Sequence, residues 1–108
     1  MGLDQYAFAR KNDENIEIQY WRKHANLEGW MANLYASRGG KGDFNCVDLK
    51  LKREDLLELQ DNHRNLDTAV GFFWGETTDC KVEATEEFIQ KALNYIDDGY
   101  EIVYHSWW

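Results

Sequence analysis

Proline is absent from this chain of 108 residues, and cysteine occurs only twice, at Cys46 and Cys80. Without proline, the turns depend on glycine, asparagine and aspartate for their backbone geometry. No apolar stretch approaches the ~20 residues that a membrane-spanning helix needs, and the first residues lack the pattern of a signal peptide. We therefore expect no membrane attachment, a cytoplasmic location and two free thiols.

Clusters of metal ligands and phosphate-binding loops are missing as well. The three histidines and two cysteines lie far apart, whereas a zinc site needs several of them at short spacings. The glycines at 39–42 lack the spacing and the preceding strand of a phosphate loop. The sequence therefore predicts neither a metal nor a cofactor.

Positive charge is scarce, because 12 Lys and Arg residues stand against 20 Asp and Glu residues and give a net charge of −8. Binding to a phosphate backbone needs clustered bases that release counterions, so the balance argues against a nucleic-acid partner. A protein that mimics a nucleic acid would need dense rows of acids, and here no acidic run exceeds two residues. The acidity is typical of a solubilising surface.

Aromatic residues are abundant, with five Trp, six Tyr and five Phe. Aromatic side chains are enriched both in tight cores and at protein interfaces, and composition does not separate the two. This excess is the main sequence feature that needs an explanation.

The apolar periodicity predicts a single α+β domain over residues 1–108, in the order β-β-α-β-α-β-α-β. Period-two alternation indicates strands at the start, from Ile16, at 46–51 and in the last nine residues, and the polar turn at 11–15 predicts that the first two form a β-hairpin. The segment 71–75 (GFFWG) is predicted to be a short strand. Period-3.6 stripes indicate three helices, the second over about 54–67. Such an order predicts one mixed, mainly antiparallel sheet with helices on one face.

Helix boundaries follow from capping residues. Asn26 is the predicted N-cap of the first helix, which ends at the glycine pair 39–40, and Thr85 is the predicted N-cap of the third, which ends at Gly99. The first helix carries one apolar stripe, formed by Leu27, Trp30, Met31, Leu34 and Tyr35.

Six stretches in order carry a resemblance: MGLDQY, YWRKHANLEGWMANLY, FNCVDLKL, GFFWG, FIQKALNYIDDGYEIVY and the final SWW. Together they resemble a family of small bacterial and phage proteins of uncharacterised function, across nearly the whole chain. Members sometimes carry the genome label phosphoglycerate kinase, which implies a two-lobed enzyme larger than 108 residues allow. The resemblance implies a bacterial or host cytoplasm and supplies no catalytic residues.

One local concentration of positive charge precedes the first helix. Arg22, Lys23 and His24 stand just before Asn26, and a helix N-terminus offers N–H donors and a partial positive charge. The sharper interpretation is a site for a phosphate or carboxylate ligand. The alternative is a solvated turn whose charges pair with nearby acids.

Five aromatic residues are candidates for a stacking wall or an interface: Tyr20, Trp21, Trp30, Trp107 and Trp108. Strand and helix aromatics more often belong to the core. The last two tryptophans either dock against the helices or meet a partner, because exposed together they would favour aggregation.

Cys46 and His63 have simple interpretations. No recognisable nucleophile setting surrounds Cys46, and His63 lies on the apolar stripe of its helix, as a partly buried histidine would. Neither is predicted to be catalytic.

These features favour a small binding or accessory protein, not an enzyme, that meets a partner through aromatic surface, with a homodimer as the first candidate. The alternative is a binder or enzyme for a small anionic ligand at Arg22–His24. The first hypothesis predicts an exposed aromatic patch and no deep cavity. The second predicts a concave pocket where Arg22 or His24 meets carboxylates.

Overall fold

The computed structural model describes residues 3–42, 44–63 and 82–108. These residues form an α+β fold with three helices and an antiparallel sheet of four strands, which confirms the predicted class. The described elements follow the predicted order, and the predicted strand at 71–75 lies outside the described residues. Their bounds are β1 Asp4–Lys11, β2 Glu14–Arg22, α1 Ala25–Ser37, β3 Asp48–Leu51, α2 Arg53–Asn62, α3 Val82–Asp97 and β4 Glu101–Trp107.

The sheet has the strand order β2-β1-β4-β3, and each described pairing is antiparallel. The hairpin predicted for the first two strands is present, with Tyr6 opposite Tyr20. Its register shifts after Ala7, so that Ile18 has no direct partner in β1, as in a β-bulge. The last strand, β4, lies in the middle of the sheet between β1 and β3.

Side-chain alternation divides the sheet into two faces. On β1, Leu3, Ala7 and Ala9 are fully buried, and Tyr6 and Phe8 lie half-buried on the opposite face. The described helices pack on the face of the buried residues, which we call the inner face. One apolar core results, formed by Ala7, Ala9, Ile18, Trp21, Leu27, Met31, Phe44, Leu49, Leu51, Leu56, Leu59, Phe88, Ile89, Ala92, Ile102 and Tyr104.

The start of α1 differs from the prediction. The helix begins at Ala25 with His24 in the N-cap position, so the assignment of Asn26 as N-cap is wrong. The reason is tertiary: Lys23 adopts a φ of 57° and donates its N–H to Leu3 O, which turns the chain into the helix earlier. The N–H of His24 then donates to the Oε1 atom of Gln5 at 2.9 Å.

The other two helices also differ at their ends. α3 begins at Val82, so Thr85 is not its N-cap; it is buried in the first turn and accepts a hydrogen bond from Trp21 Nε1 at 3.3 Å. α2 is assigned only as far as Asn62, and residues 64–67 of its predicted extent lie outside the described residues. Gly99 ends α3 as predicted, with a φ of 91°.

Candidate functional site

The face of the sheet turned away from the described helices carries four aromatic side chains. Tyr6 lies between Phe8 and Tyr20, with ring centroids 6.2 Å and 5.2 Å apart. Trp107 stands opposite Asp4 on the same face, two residues along the strands from the Tyr6–His105 pair. We call this surface the open face, and Tyr6, Phe8, Tyr20 and Trp107 the aromatic patch.

Exposure singles out this patch. Among the described residues, three large apolar side chains are exposed: Tyr20 at 43%, Leu57 at 45% and Trp107 at 62%. Two of the three belong to the aromatic patch, whereas Leu57 stands alone on α2. Tyr20 is in ring contact with Tyr6, and exposed aromatic groups are typical of interaction surfaces.

The charges of the open face nearly cancel. It carries four acids and three bases by its strand register, in a chain whose net charge is −8. The acids are Asp4, Glu17, Asp48 and Glu101, and the bases are Arg10, Arg22 and Lys50. The excess negative charge of the protein therefore lies elsewhere.

Polar contacts hold the rim of the aromatic patch in place. Asp48 accepts a hydrogen bond from Arg10 Nη1 at 2.9 Å and lies 2.9 Å from His105 Nδ1. Partial burial opposes ionisation, but the hydrogen bonds from Arg10 and His105 hold the pKa of Asp48 below its usual value. The guanidinium of Arg10 also lies over the ring of Phe8, 5.8 Å from its centroid.

Tyr20 is held in the same way. Its hydroxyl donates to Asp4 Oδ1 at 2.5 Å, and this hydrogen bond raises the pKa of Tyr20 to about 12. This hydrogen bond ties the Tyr20 ring to β1 across the hairpin.

On the inner face, a buried carboxylate binds the other side of β4. Glu28 lies in the first turn of α1 and is fully buried. Its Oε1 accepts from Tyr104 Oη at 2.6 Å, and its Oε2 accepts from Ser106 Oγ at 2.8 Å and Trp108 Nε1 at 3.2 Å. One carboxylate thus accepts hydrogen bonds from three alternate residues, two in β4 and one just after it, whose side chains all point to the inner face.

Gln5 extends this network to the start of α1. Its Nε2 donates to Tyr104 Oη at 2.9 Å and to His24 O at 3.0 Å, and its Oε1 accepts from the His24 N–H. Each donor in this hydrogen-bond network meets an acceptor. In these hydrogen bonds Glu28 is always the acceptor, which suits an ionised carboxylate. The helix N-terminus adds a favourable field for negative charge.

Burial nevertheless raises the pKa of Glu28 above its ordinary value of 4.5, because the hydrogen bonds from Tyr104, Ser106 and Trp108 offset only part of the desolvation. The same burial, together with the neighbouring Glu28, raises the pKa of Tyr104 well above 10. The network therefore holds one negative charge at a cost to stability.

This pKa shift predicts a pH dependence. Between the unfolded value near 4.5 and the raised folded value, the folded protein binds more protons at Glu28 than the unfolded chain does. Stability contributed by this group therefore rises as the pH falls through that window. In urea denaturation at a series of pH values, wild type should gain stability relative to Glu28→Gln on acidification from neutral pH to 4.5. A relative loss on acidification would mean that the folded pKa is lowered instead.

The residues of the predicted anion site differ in their exposure to solvent. Arg22 and Lys23 are exposed, whereas His24 is buried beneath them and Asn26 is half-buried in the second position of α1. The N–H groups of Lys23 and His24 already donate to Leu3 O and Gln5 Oε1. The same helix end holds the Glu28 carboxylate, which competes electrostatically with an anion. The anion site stays a prediction, and these contacts add no support to it.

The five predicted aromatic residues divide between core and surface. Trp21 is buried and packs edge-on against Phe88, with centroids 5.0 Å apart. Trp30 is half-buried against the core. Tyr20 and Trp107 lie on the open face, whereas the Trp108 indole is held by Glu28 and by Phe44 O at 2.9 Å. Of the two final tryptophans, Trp108 thus docks against α1, whereas Trp107 is exposed and its contact with a partner stays a prediction.

His63 has contacts consistent with a structural role, whereas Cys46 lacks the burial that a structural thiol commonly has. His63 is buried, with Nδ1 2.9 Å from Gln60 O and Nε2 3.3 Å from Glu86 Oε1, beside a cavity of about 390 Å³ between α2 and α3. Cys46 is free and exposed, and Cys80 lies outside the described residues. Within the described ranges, no group of three or more His, Cys, Asp or Glu could hold a metal, and no helix could cross a membrane.

Sequence reasoning missed Glu28 and Gln5. The signal was their phase: Glu28 precedes Met31 by three positions and Tyr35 by seven, so it shares their helical face. Gln5 likewise alternates with Leu3 and Ala7 on the inner face. A polar residue in phase with buried neighbours indicates a buried hydrogen bond, because an unpaired polar group there would be costly.

No protein-family model, no curated protein and no solved structure matches this chain. Its function therefore has to be inferred from the geometry of the chain itself.

Proposed function

We propose that this protein is a binding protein that associates through its open face, and that the partner is a second copy of the same chain. The observation that supports this most strongly is the aromatic patch, where Tyr20 and Trp107 are exposed at 43% and 62% beside Tyr6 and Phe8. Exposed side chains of this kind are stabilised when a partner covers them.

Charge favours a second copy as the partner. Two molecules of net charge −8 repel each other, and the repulsion is smallest where the approaching surfaces carry little net charge. The open face, with four acids and three bases, is such a surface. A two-fold symmetric interface also requires a surface that complements itself, and alternating acids and bases around an apolar centre provide this.

The size of the open face sets the expected strength. Its strands have between 4 and 9 residues. At strand spacings of ~4.8 Å and rises of ~3.3 Å per residue, the face measures on the order of 500 Å². Standard interfaces bury roughly 800 Å² per partner, so we expect a weak dimer with a Kd in roughly the micromolar range.

Sedimentation equilibrium over a range of concentrations tests the proposal. Wild type should shift from monomer to dimer, and Trp107→Ser should stay monomeric at concentrations where wild type associates. Leu57→Ser is the matched control, because Leu57 is exposed at 45% but lies on α2, away from the open face. This control should dimerise as wild type does.

Three results would overturn the proposal. A wild type that is monomeric at every concentration would remove self-association. Equal weakening by Trp107→Ser and Leu57→Ser would indicate non-specific apolar contact. A dimer that survives Trp107→Ser together with Tyr20→Ser would place the interface on another surface.

A further inference from the structure

Trp107 depends on its neighbours for its position. The pairing of β3 with β4 reaches only as far as Asp48 and His105, so beyond His105 no described strand pairs with β4 on that side. There, the loop before β3 forms the hydrogen bonds to this end of the chain. Cys46 N donates to Ser106 O at 2.9 Å, and Trp108 N donates to Asn45 Oδ1 at 3.0 Å. The segment that carries Trp107 is therefore paired with β1 on one side, where Trp107 stands opposite Asp4, and is held on the other side by contacts outside a regular ladder.

Glu28 supplies the side-chain contacts of this segment. Ser106 and Trp108 stand immediately before and after Trp107, and both donate to Glu28 Oε2, at 2.8 Å and 3.2 Å. Side chains alternate along an extended chain, so two inward anchors direct the residue between them outward. The pairing with Asp4 directs Trp107 outward, and the carboxylate on the inner face anchors the residues on both sides of this most exposed aromatic side chain of the open face.

We propose that Glu28 is a positioning residue for the interaction face, which it serves by anchoring Ser106 and Trp108 so that Trp107 is held ready for the partner. This inference depends on the proposed function for its biological meaning, but not for its structural content. A rigid aromatic side chain loses less conformational freedom on association than a mobile one, so its preorganisation strengthens binding.

The energetics of Glu28 agree with a positioning role. Burial raises its pKa, so the ionised carboxylate costs stability that an apolar residue at the same place would not. An apolar side chain, however, could not bind Tyr104, Ser106 and Trp108 together. A group that costs stability while it orders a neighbouring surface is typical of functional sites.

The first test measures the order of Trp107 in the monomer. The ¹⁵N heteronuclear NOE of each tryptophan indole is recorded on dilute protein, with resonances assigned by single Trp→Phe substitutions. In Glu28→Gln, the NOE of the Trp107 indole should fall while that of Trp30 stays at its wild-type value. Glu83→Gln is the control, since Glu83 is an exposed first-turn glutamate of α3. A Trp107 indole as ordered in Glu28→Gln as in wild type would overturn the inference.

A milder variant guards against loss of folding. Trp108→Phe keeps one aromatic ring in place and removes the indole N–H that donates to Glu28 and Phe44 O, together with part of the ring volume. It should lower the order of Trp107 in the same direction, by less than Glu28→Gln does. An unchanged Trp107 in this folded variant would contradict the anchoring role of Trp108.

The second test is a double-mutant cycle on self-association. Glu28→Gln should raise the dimer Kd about tenfold, which corresponds to ~1.4 kcal/mol. In a Trp107→Ala background the same substitution should change the Kd little, because the side chain that Glu28 positions is gone. Equal effects in both backgrounds would refute positioning through Trp107. If wild type proves monomeric, the proposed function fails, and the indole measurement alone decides the role of Glu28.

Discussion

Phe88→Ala is expected to lower the free energy of unfolding by about 3–5 kcal/mol, a large effect for a single substitution. Phe88 is fully buried on α3 and its ring packs edge-on against Trp21. Removing it takes away apolar burial and leaves a cavity between α3 and the inner face. Small domains have a total stability of only ~5–15 kcal/mol, so urea denaturation should show a large shift of the midpoint.

Phe8→Ala is the matched control for this prediction. Phe8 is half-buried on the open face, where it stacks on Tyr6 at 6.2 Å and no described helix covers it. Its loss should cost less than half as much stability and should weaken self-association instead. Equal destabilisation by the two substitutions would mean that the open face is part of the core.

Tyr104→Phe is expected to cost about 2–3 kcal/mol, since a hydrogen bond to a charged group contributes ~1.5–3 kcal/mol. The hydroxyl donates to Glu28 Oε1 at 2.6 Å and accepts from Gln5 Nε2 at 2.9 Å, in a site that excludes solvent. Phenylalanine would leave the carboxylate with one donor fewer. Denaturation in urea at neutral pH measures this loss.

Tyr100→Phe tests whether burial is the cause. The Tyr100 hydroxyl also donates to a carboxylate, Glu14 Oε2, at 2.7 Å, but this pair lies in solvent. Water replaces the lost partner there, so stability should hardly change. If Tyr100→Phe lowers the free energy of unfolding as much as Tyr104→Phe does, burial is not the cause of the loss at Tyr104.

The local features of the fold could be predicted because they depend on neighbouring residues. Alternation of Leu3, Ala7 and Ala9 against Tyr6 and Phe8 sets the two faces of β1 without reference to the rest of the chain. The stripe of α1 was predictable for the same reason, and its members Leu27 and Met31 are fully buried.

The start of α1 was not predictable in this way. Asn26 has a higher intrinsic preference for the N-cap than His24, but Gln5, 19 positions from His24, binds the backbone of His24 and fixes the entry of the chain. A contact between distant segments thus overrode a local preference. The same contact keeps His24 buried, whereas the anion hypothesis placed it at the surface.

The candidate site depends on even longer separations. Glu28 meets Tyr104, Ser106 and Trp108 across 76 to 80 positions, and the sequence contains no signal of that pairing until β4 is placed in the middle of the sheet. The aromatic excess predicted a core or an interface. Only the direction of each side chain shows that Trp21 belongs to the first and Trp107 to the exposed surface.

The most direct measurement of the central claim is an isotope-filtered NOE experiment on a mixture of labelled and unlabelled chains at high concentration. NOEs between copies should connect ring protons of the aromatic patch, Tyr6, Phe8, Tyr20 and Trp107, with the open face of the other copy, and should vanish on dilution. Intermolecular NOEs confined to helix residues such as Leu57, or none at a concentration where sedimentation shows a dimer, would contradict the claim that the open face is the interaction surface.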